Sequence, residues 1–399
     1  MKKHISNNFS NLRTIFIILI IFFIRNISLF FVFPIFSFYY LEIDGNSKFL
    51  SCLCLSIYGI FQIISQVPLY YFSLIIGKKN TVLISMLFFF IGNLICFLYC
   101  SIWGILIGRS FQGFNSSSIL TDMLIINTSK ENRVFSIFSI GIVFGLSFFL
   151  SMSFSIFVFK NIGLKNIFFI SSILSLLLLF FSYFFIPKDS LKKNMKKKYF
   201  NKNNFFCFFK NSNNINFLKY IFISNFIFSS NFSVFSKIFS IFYIDKNIYY
   251  KIYFYIFFMS FFLSIIFIIF IRKKINNNNI YFYLFFLFFI SQIIFFFNNN
   301  LKILLFLSML IFFLVYNILS SILPILLRKN FNRSNLYDKN IITSIYTTFQ
   351  IFGMSIGSIF SGTLCSFLNF KLVFLFCMFL IFLYFLTSKK GFLKKIKNN

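Results

Sequence analysis

Residues 101–113 read SIWGILIGRSFQG, a run in which one arginine and one glutamine stand among apolar and small residues. The apolar character continues to residue 126, which is long enough for a helix to cross the hydrocarbon core of a bilayer. On a helix with 3.6 residues per turn, Arg109, Gln112 and Ser116 share one face. Because a charged side chain is costly within lipid, we expect this face to line a polar cavity between helices. The alternative is a structural role, in which Arg109 binds backbone carbonyl groups of neighbouring helices.

The whole chain shares this apolar character: 59% of its 399 residues are hydrophobic and 11% are charged, whereas soluble domains have about 25% charged residues. Lipid is therefore the expected solvent for most of the chain. The sequence predicts an all-α polytopic membrane protein with twelve transmembrane helices in two six-helix bundles, residues 1–187 and 217–399, joined by a basic linker at 188–216. The predicted spans are 14–41, 50–76, 81–101, 103–126, 134–159, 164–186, 217–243, 250–271, 280–297, 301–327, 341–367 and 371–388.

The basic residues indicate the orientation of the chain in the membrane. Lys and Arg number 38 against 7 Asp and Glu, and most of them fall in the linker, the two tails and the alternate loops on the same side. Since loops rich in Lys and Arg remain in the cytoplasm, both termini are predicted to be cytoplasmic. The same distribution argues against a nucleic-acid partner, because the charges lie between apolar runs and form no continuous basic surface.

Two further charged residues fall inside predicted spans of the first bundle. Arg25 lies in the middle of the first span, before Pro34, whose missing N–H and fixed φ favour a bend in the helix. Arg25 could line the cavity or have a purely structural role. Asp122 lies near the cytoplasmic end of the fourth span, where it could titrate during proton coupling or pair with a nearby lysine.

Uncharged polar residues give further candidates for the same cavity. Tyr58 and Gln62 on the second span share one helix face, and Gln66 lies on this face one turn further on. Amide groups that face lipid are costly, so this face should point into the bundle, either toward a solute or toward a neighbouring helix. Asn317 on the tenth span is a further cavity candidate, and Gln350 on the eleventh is a further polar candidate.

Two pairs of glycines have the spacing that lets helices approach closely. They are Gly141 and Gly145 on the fifth span, and Gly353 and Gly357 on the eleventh. We interpret them as helix-packing positions without chemical function. The fifth and eleventh spans hold corresponding places in the two bundles, which favours a chain built from two repeats.

Motifs that indicate catalysis are missing from the sequence. It contains no P-loop, no H-E-x-x-H and no paired catalytic carboxylates, and its single histidine, His4, and its seven cysteines have no metal-ligand spacing. We therefore expect no cofactor, no metal and no enzymatic activity. The lack of a P-loop favours secondary transport, or an ATPase partner on another chain, over a pump that hydrolyses ATP itself.

These motifs resemble the major facilitator superfamily, and within it the bacterial YajR-type branch of drug-efflux transporters. The resemblance rests on R-x-x-Q-G at 109–113, on the run 57–68, on Arg25 with Pro34, and on residues 317–324. It implies a two-lobed monomer in the inner membrane that carries a small organic solute by alternating access around a central cavity. It also implies proton-coupled antiport of a drug or metabolite as the usual mechanism, with Arg109 as a participant.

The loop after the second span is the first departure from the family pattern. The family signature G-x-L-x-D-R-x-G-R-K corresponds here to YYFSLIIGKK at 70–79. Gly77, Lys78 and Lys79 are retained and are expected to act as a conformational lock. The position of the acid, however, holds Leu74.

Two more departures lie in the fifth and tenth spans. Ser155-Ile156 replaces the Gly-Pro of the antiporter motif, and Ser320 stands where relatives can carry an acid. Ser155-Ile156 argues against antiport specifically. Leu74 and Ser320 support an alternative interpretation, in which the chain is a degenerate membrane protein of transporter fold that has lost coupled transport.

Overall fold

The computed structural model describes residues 2–38, 45, 47–128, 133–187, 212–241, 249–271, 279–298, 301–331 and 339–396. All regular structure over these residues is helical, and fourteen helices together account for the twelve predicted spans. They are α1 (Lys2–Phe30), α2 (Phe33–Phe38), α3 (Lys48–Ile75), α4 (Lys78–Leu98), α5 (Ile102–Gln112), α6 (Ser117–Ile126), α7 (Arg133–Ile162), α8 (Leu164–Phe185), α9 (Ser212–Ile241), α10 (Tyr249–Ile271), α11 (Asn279–Phe297), α12 (Lys302–Phe331), α13 (Lys339–Phe367) and α14 (Lys371–Ile396).

The first and fourth predicted spans are each divided into two helices. We call α1–α8 the first half and α9–α14 the second half. Of the predicted linker at 188–216, residues 188–211 lie outside the described residues, and α9 already begins at Ser212. The helix therefore starts a few residues earlier than the apolar pattern alone indicated.

The outer surface of the bundle is apolar and its interior contains many polar side chains. Among the described helices, seven are long and apolar enough to cross a membrane, and three more contain shorter apolar stretches. Side chains on the outside include exposed Phe180, Phe184 and Leu177, whereas Ser147, Ser171 and other polar residues are buried. This distribution suits a protein whose solvent is lipid. The chain is an all-α integral membrane protein with a twelve-helix fold.

Pro34 divides the first span, as the sequence indicated. The helix stops at Phe30 and resumes at Phe33, directly before Pro34, which has no backbone N–H and fixes its own φ. The carbonyl group of Phe31 is freed at this break and accepts a hydrogen bond from the Ser155 hydroxyl on α7. The expected interruption of the first helix near Pro34 is confirmed, and a hydrogen bond joins α7 to this break.

The fourth span is divided just after the R-x-x-Q-G run. Helix α5 ends at Gln112, and α6 begins at Ser117. A Cβ atom at Gly113 would lie 2.6 Å from the Tyr58 carbonyl oxygen, so only glycine permits this approach of α3. The Gly113 carbonyl accepts a hydrogen bond of 3.2 Å from the Ser65 hydroxyl.

Within the second half, α13 packs closely on α9. A Cβ atom at Gly353 would lie 2.5 Å from the Phe222 carbonyl oxygen, and one at Gly357 would lie 2.5 Å from the Phe226 carbonyl oxygen. Contact at this distance requires that both positions lack a side chain. The two glycines thus lie where the backbones of the helices meet.

The halves are joined by two sets of helices. On one side α3 lies along α13: Gly362 faces Cys52, Gly59 faces Ser355, and Gln66 Nε2 donates to Thr347 Oγ1 at 3.1 Å. On the other side α7 packs on α10 and α12. There a Cβ atom at Gly145 would lie 2.8 Å from the Phe261 ring, and one at Gly141 would lie 3.5 Å from Ser321 Cβ. Gly141 and Gly145 therefore both lie at the junction between halves. Of the two, Gly145 has the expected close approach, whereas the contact at Gly141 would accommodate a side chain.

Aromatic rings fill the space between the halves toward the end of the bundle that carries Ser47, which we call the Ser47 face. The ring of Phe148 lies 5.0 Å from those of Phe30 and Phe257 and 5.8 Å from that of Phe228. Phe257 in turn lies 4.1 Å from Phe313. Edge-to-face and tilted ring pairs of this kind pack densely. We call the opposite end of the bundle, where α3 meets α4, the Gly77 face.

Candidate functional site: a cavity between the halves

A cavity of about 220 Å³ lies in the middle of the bundle, between the two halves. Helices α1, α2, α3, α6 and α7 line it from the first half, and α9, α12 and α13 line it from the second. Six phenylalanine rings form much of its wall. Its polar lining residues are Arg25, Asn26, Tyr58, Gln62, Asn115, Ser117, Thr121, Ser229, Ser320, Tyr346, Thr347, Gln350, Ser355 and Ser358.

A chain of hydrogen bonds orients Arg25 at the cavity wall. Arg25 Nη1 donates to Asn115 Oδ1 at 2.6 Å, and Asn115 Nδ2 donates to the Tyr58 hydroxyl at 2.7 Å. The guanidinium carbon lies 5.0 Å from the centre of the Phe22 ring, within the range of a cation–π contact. Arg25 is held from two sides, is 5% exposed and lines the cavity.

The break between α5 and α6 creates this arrangement. Asn115 lies in the non-helical segment between these two helices, where its side chain can reach both α1 and α3. The start of α6 is fixed by a second contact, in which Gln62 Nε2 donates to the Ser117 hydroxyl at 3.1 Å. Arg25, Tyr58 and Gln62, which the sequence pointed to, therefore meet at one end of the cavity through Asn115 and Ser117.

Arg109 does not line the cavity, contrary to our expectation. It is 0% exposed, and its Nη1 donates to Gln112 Oε1 at 2.9 Å. Gln112 is held in turn by a hydrogen bond of 3.0 Å from its Nε2 to Asn93 Oδ1. The guanidinium carbon lies 5.4 Å from the centre of the Tyr58 ring and 5.6 Å from that of Phe33.

The rings of Tyr58 and Phe33 both line the cavity. Helix periodicity predicted that Arg109 and Gln112 would line it, but these two rings do so instead. The long contact of 3.5 Å from Arg109 Nε to the Cys54 carbonyl oxygen fits the structural alternative, in which Arg109 ties α5 to α3. Arg109 Nη2 is buried and has no hydrogen-bond partner among the described residues.

Asp122 and Asn317 also lie outside the lining of the cavity. Asp122 is 3% exposed, and its neighbour Thr121 lines the cavity in its place. Asn317 borders a separate small pocket of about 20 Å³ between α7, α10 and α12. Gly141, Phe144 and Ser320 border both spaces. A helix can present only part of its circumference to the cavity, and Asp122 and Asn317 are not on the part that lines it.

The residues of the expected lock have contacts within the first half. Gly77 caps the start of α4 with φ +91°, a conformation that favours glycine. Lys79 Nζ donates to the carbonyl oxygens of Tyr183 and Ile186, both at 2.6 Å. Lys79 thus caps the last turn of α8, where a cation is favourable. Leu74, at the position of the family acid, is 44% exposed.

Several cavity residues were not predicted as a site. Gln350, a polar candidate of the eleventh span, lines the cavity from α13. Tyr346 also lines the cavity and was not predicted. It lies four residues before Gln350, as Tyr58 lies before Gln62 on α3, and this spacing could have found it. Asn115 had no sequence signal beyond its place after the R-x-x-Q-G run. Its role depends on the helix break that precedes it.

The sequence of this chain matches one family over most of its length. Residues 18–337 match the profile of the Major Facilitator Superfamily. Two proteins described as uncharacterized transporters are similar to this chain over nearly its whole length. The first, of Buchnera aphidicola subsp. Baizongia pistaciae, is 34% identical over 95% of this chain and 96% of the relative. One of Buchnera aphidicola subsp. Schizaphis graminum is 32% identical over 97% and 98%. The inner membrane transport protein YajR of Escherichia coli is 30% identical over 156 residues, which are 39% of this chain and 34% of YajR.

The fold is shared with a solved transporter structure. The crystal structure of the human organic anion transporter MFSD10 (TETRAN) superposes with a TM-score of 0.70 over 94% of this chain and 99% of that chain, at 11% sequence identity. The family profile and the relatives of similar length make the chain a membrane transport protein. The chain belongs to the major facilitator superfamily.

Proposed function

We propose that this protein is a secondary active transporter that carries a small organic solute through the central cavity by alternating access. The observation that supports it is the cavity itself, which lies between the halves and is lined by both. The cavity is complete within one chain, which supports a monomer as the working unit. In the proposal the protein lies in a bacterial inner membrane with both termini in the cytoplasm, so that the Gly77 face is cytoplasmic.

Alternating access requires that the halves separate at one end at a time. The contact of Cys52 with Gly362 lies toward the Ser47 face, and the hydrogen bond of Gln66 with Thr347 lies toward the Gly77 face. A solute in the cavity is situated between these two contacts. In the proposal, each of these contacts opens in turn as the solute crosses.

Proton coupling is the finer form of the proposal. Asp122 is the carboxylate inside the predicted spans, it is buried, and it adjoins a lining residue, Thr121. A buried carboxylate is a suitable proton carrier. If Asp122 has this role, Asp122→Asn should abolish the response of solute efflux to a pH gradient and leave exchange at equal pH intact.

The experiment that tests alternating access is a reversible cross-link. Gly362→Cys places a thiol beside the native Cys52. Its Cβ atom would lie 2.6 Å from Cys52 Cβ, so the two helices must part by about 1 Å to reach disulfide spacing, and oxidation should then join α3 to α13 at the Ser47 face. Flux of anionic, neutral and cationic aromatic compounds is then measured in vesicles. Oxidation should stop flux and a reductant should restore it, whereas the Gly362→Ala variant should be insensitive to both.

Two results would contradict the proposal. Flux that continues at full rate in the cross-linked protein shows that the halves do not need to separate at this end. Absence of flux for every compound, from correctly inserted protein, favours the degenerate alternative, which Leu74 and Ser320 support.

A further inference from the structure

We infer that the cavity binds a small organic monoanion with a flat apolar body, and that Arg25 binds its acidic group. This inference rests on the proposed function, since it names the class of solute that the central cavity takes. It is carried by three features of the cavity: its charge, the orientation of Arg25 and the nature of the remaining wall.

The charge of the cavity comes from Arg25. Among the described residues that line it, Arg25 is the one with a charged side chain, and none of them is a carboxylate. A cation in a low-dielectric site is costly unless an opposite charge accompanies it. Tyr58 and Asn115 supply oxygen acceptors to this corner of the cavity but no negative charge. A bound carboxylate would supply it.

The guanidinium group of Arg25 is oriented before a ligand arrives. One donor is used by Asn115, which is itself held by Tyr58, and Phe22 covers one face of the group. A guanidinium group has five N–H donors in a rigid plane. The structure gives Arg25 one hydrogen-bond partner among the described residues, which leaves donors for the two oxygens of a carboxylate.

Arg109 strengthens the same preference without reaching the solute. Its guanidinium carbon lies behind the Tyr58 ring at 5.4 Å, where it is sealed from the cavity. Two cations close to one wall make the potential in the cavity positive. A cationic solute is thereby penalised, and an anionic one is favoured.

The rest of the wall defines the body of the solute. The rings of Phe22, Phe30, Phe33, Phe144, Phe228 and Phe232 line the cavity. The volume of about 220 Å³ is below the roughly 300–1,000 Å³ of pockets that hold drug-sized ligands. A compound with one or two aromatic rings and a single acidic group suits this space.

The test uses three probes that share one aromatic body and differ in charge: 1-naphthoate, 1-naphthamide and 1-naphthylmethylammonium. Binding to the full-length protein in nanodiscs is measured with radiolabelled compounds. We expect naphthoate to bind about 10- to 100-fold more tightly than the amide, the range for a hydrogen bond to a charged group, and the ammonium compound to bind least. Arg25→Gln should reduce the ratio of naphthoate to amide affinity to near 1, and Arg25→Lys should keep part of it.

Arg109→Gln is the matched control, because it removes a second buried arginine that does not line the cavity. The ratio of affinities does not depend on how much of the variant folds, so it separates recognition from stability. The control should retain most of the preference for naphthoate. If Arg109→Gln and Arg25→Gln lower the ratio equally, the preference arises from general charge and Arg25 is not the binding residue.

The remaining outcomes separate this inference from the proposed function. The inference is overturned if the wild-type protein binds the amide or the ammonium compound as tightly as naphthoate, or if well-folded protein binds none of the three. If cationic compounds are transported and the cross-link at Cys52 stops them, the transport proposal stands and the anion inference falls. If naphthoate binds but no compound crosses the membrane, the binding inference stands and the transport proposal falls.

Discussion

Replacement of Gly59 by alanine tests how closely α3 and α13 pack across the halves. A Cβ atom at Gly59 would overlap Ser355 Oγ and lie 2.9 Å from Ile351 Cγ2. Overpacking of a dense core costs about 1–3 kcal/mol, which the better helix propensity of alanine offsets by about 1 kcal/mol. We expect Gly59→Ala to lower the unfolding temperature of the purified protein. It should also slow, several-fold, cross-linking of Cys52 to the Gly362→Cys thiol two turns away.

Two further variants make this prediction specific. Gly141→Ala makes the same change where α7 meets α12, but there the new Cβ atom would lie 3.5 Å from Ser321 Cβ, which is ordinary contact. Its unfolding temperature should be unchanged or slightly higher. Ser355→Ala removes the oxygen that Gly59→Ala meets, so the double variant should regain part of the lost stability. Our reasoning is refuted if Gly59→Ala and Gly141→Ala unfold at the same temperature, or if Ser355→Ala gives no recovery.

Three other predictions concern the end of α8, the lipid-facing surface and the cavity. Lys79→Met removes the two hydrogen bonds to the end of α8 and should lower stability by about 1–3 kcal/mol, as measured by thermal unfolding. The exposed Lys165→Met should have no such effect, and equal losses would contradict the capping role. Trp103, the single tryptophan, is 67% exposed on α5, and we expect this exposed ring to face lipid. Brominated lipids should therefore quench its fluorescence, and iodide should have little effect. The reverse result would place the ring in water. Tyr58→Phe removes the hydroxyl that accepts a hydrogen bond from Asn115. It should weaken naphthoate binding about 2- to 10-fold, while the preference for naphthoate over naphthamide persists. An unchanged affinity for naphthoate would show that Tyr58 does not hold Asn115.

The sequence could predict where the helices lie, because burial in lipid depends on local composition. Long apolar runs gave the twelve spans, and Pro34 gave the bend in the first of them, since a missing N–H acts on the helix that contains it. The start of α9 at Ser212 was missed because a helix can extend beyond its apolar part into polar sequence. The R-x-x-Q-G run at 109–113 pointed correctly to the family that the chain belongs to.

The location of each polar side chain required the tertiary structure. Helix periodicity placed Arg109 on a polar face, but the rings of Phe33 and Tyr58 come from other helices and separate it from the cavity. Likewise, Asn115 joins Arg25 to Tyr58 only because a helix break lets it reach both. Apolar length is encoded within one segment, and so the sequence alone determined the membrane fold. Which polar groups meet depends on packing between segments far apart in the chain, and only the folded bundle decided it.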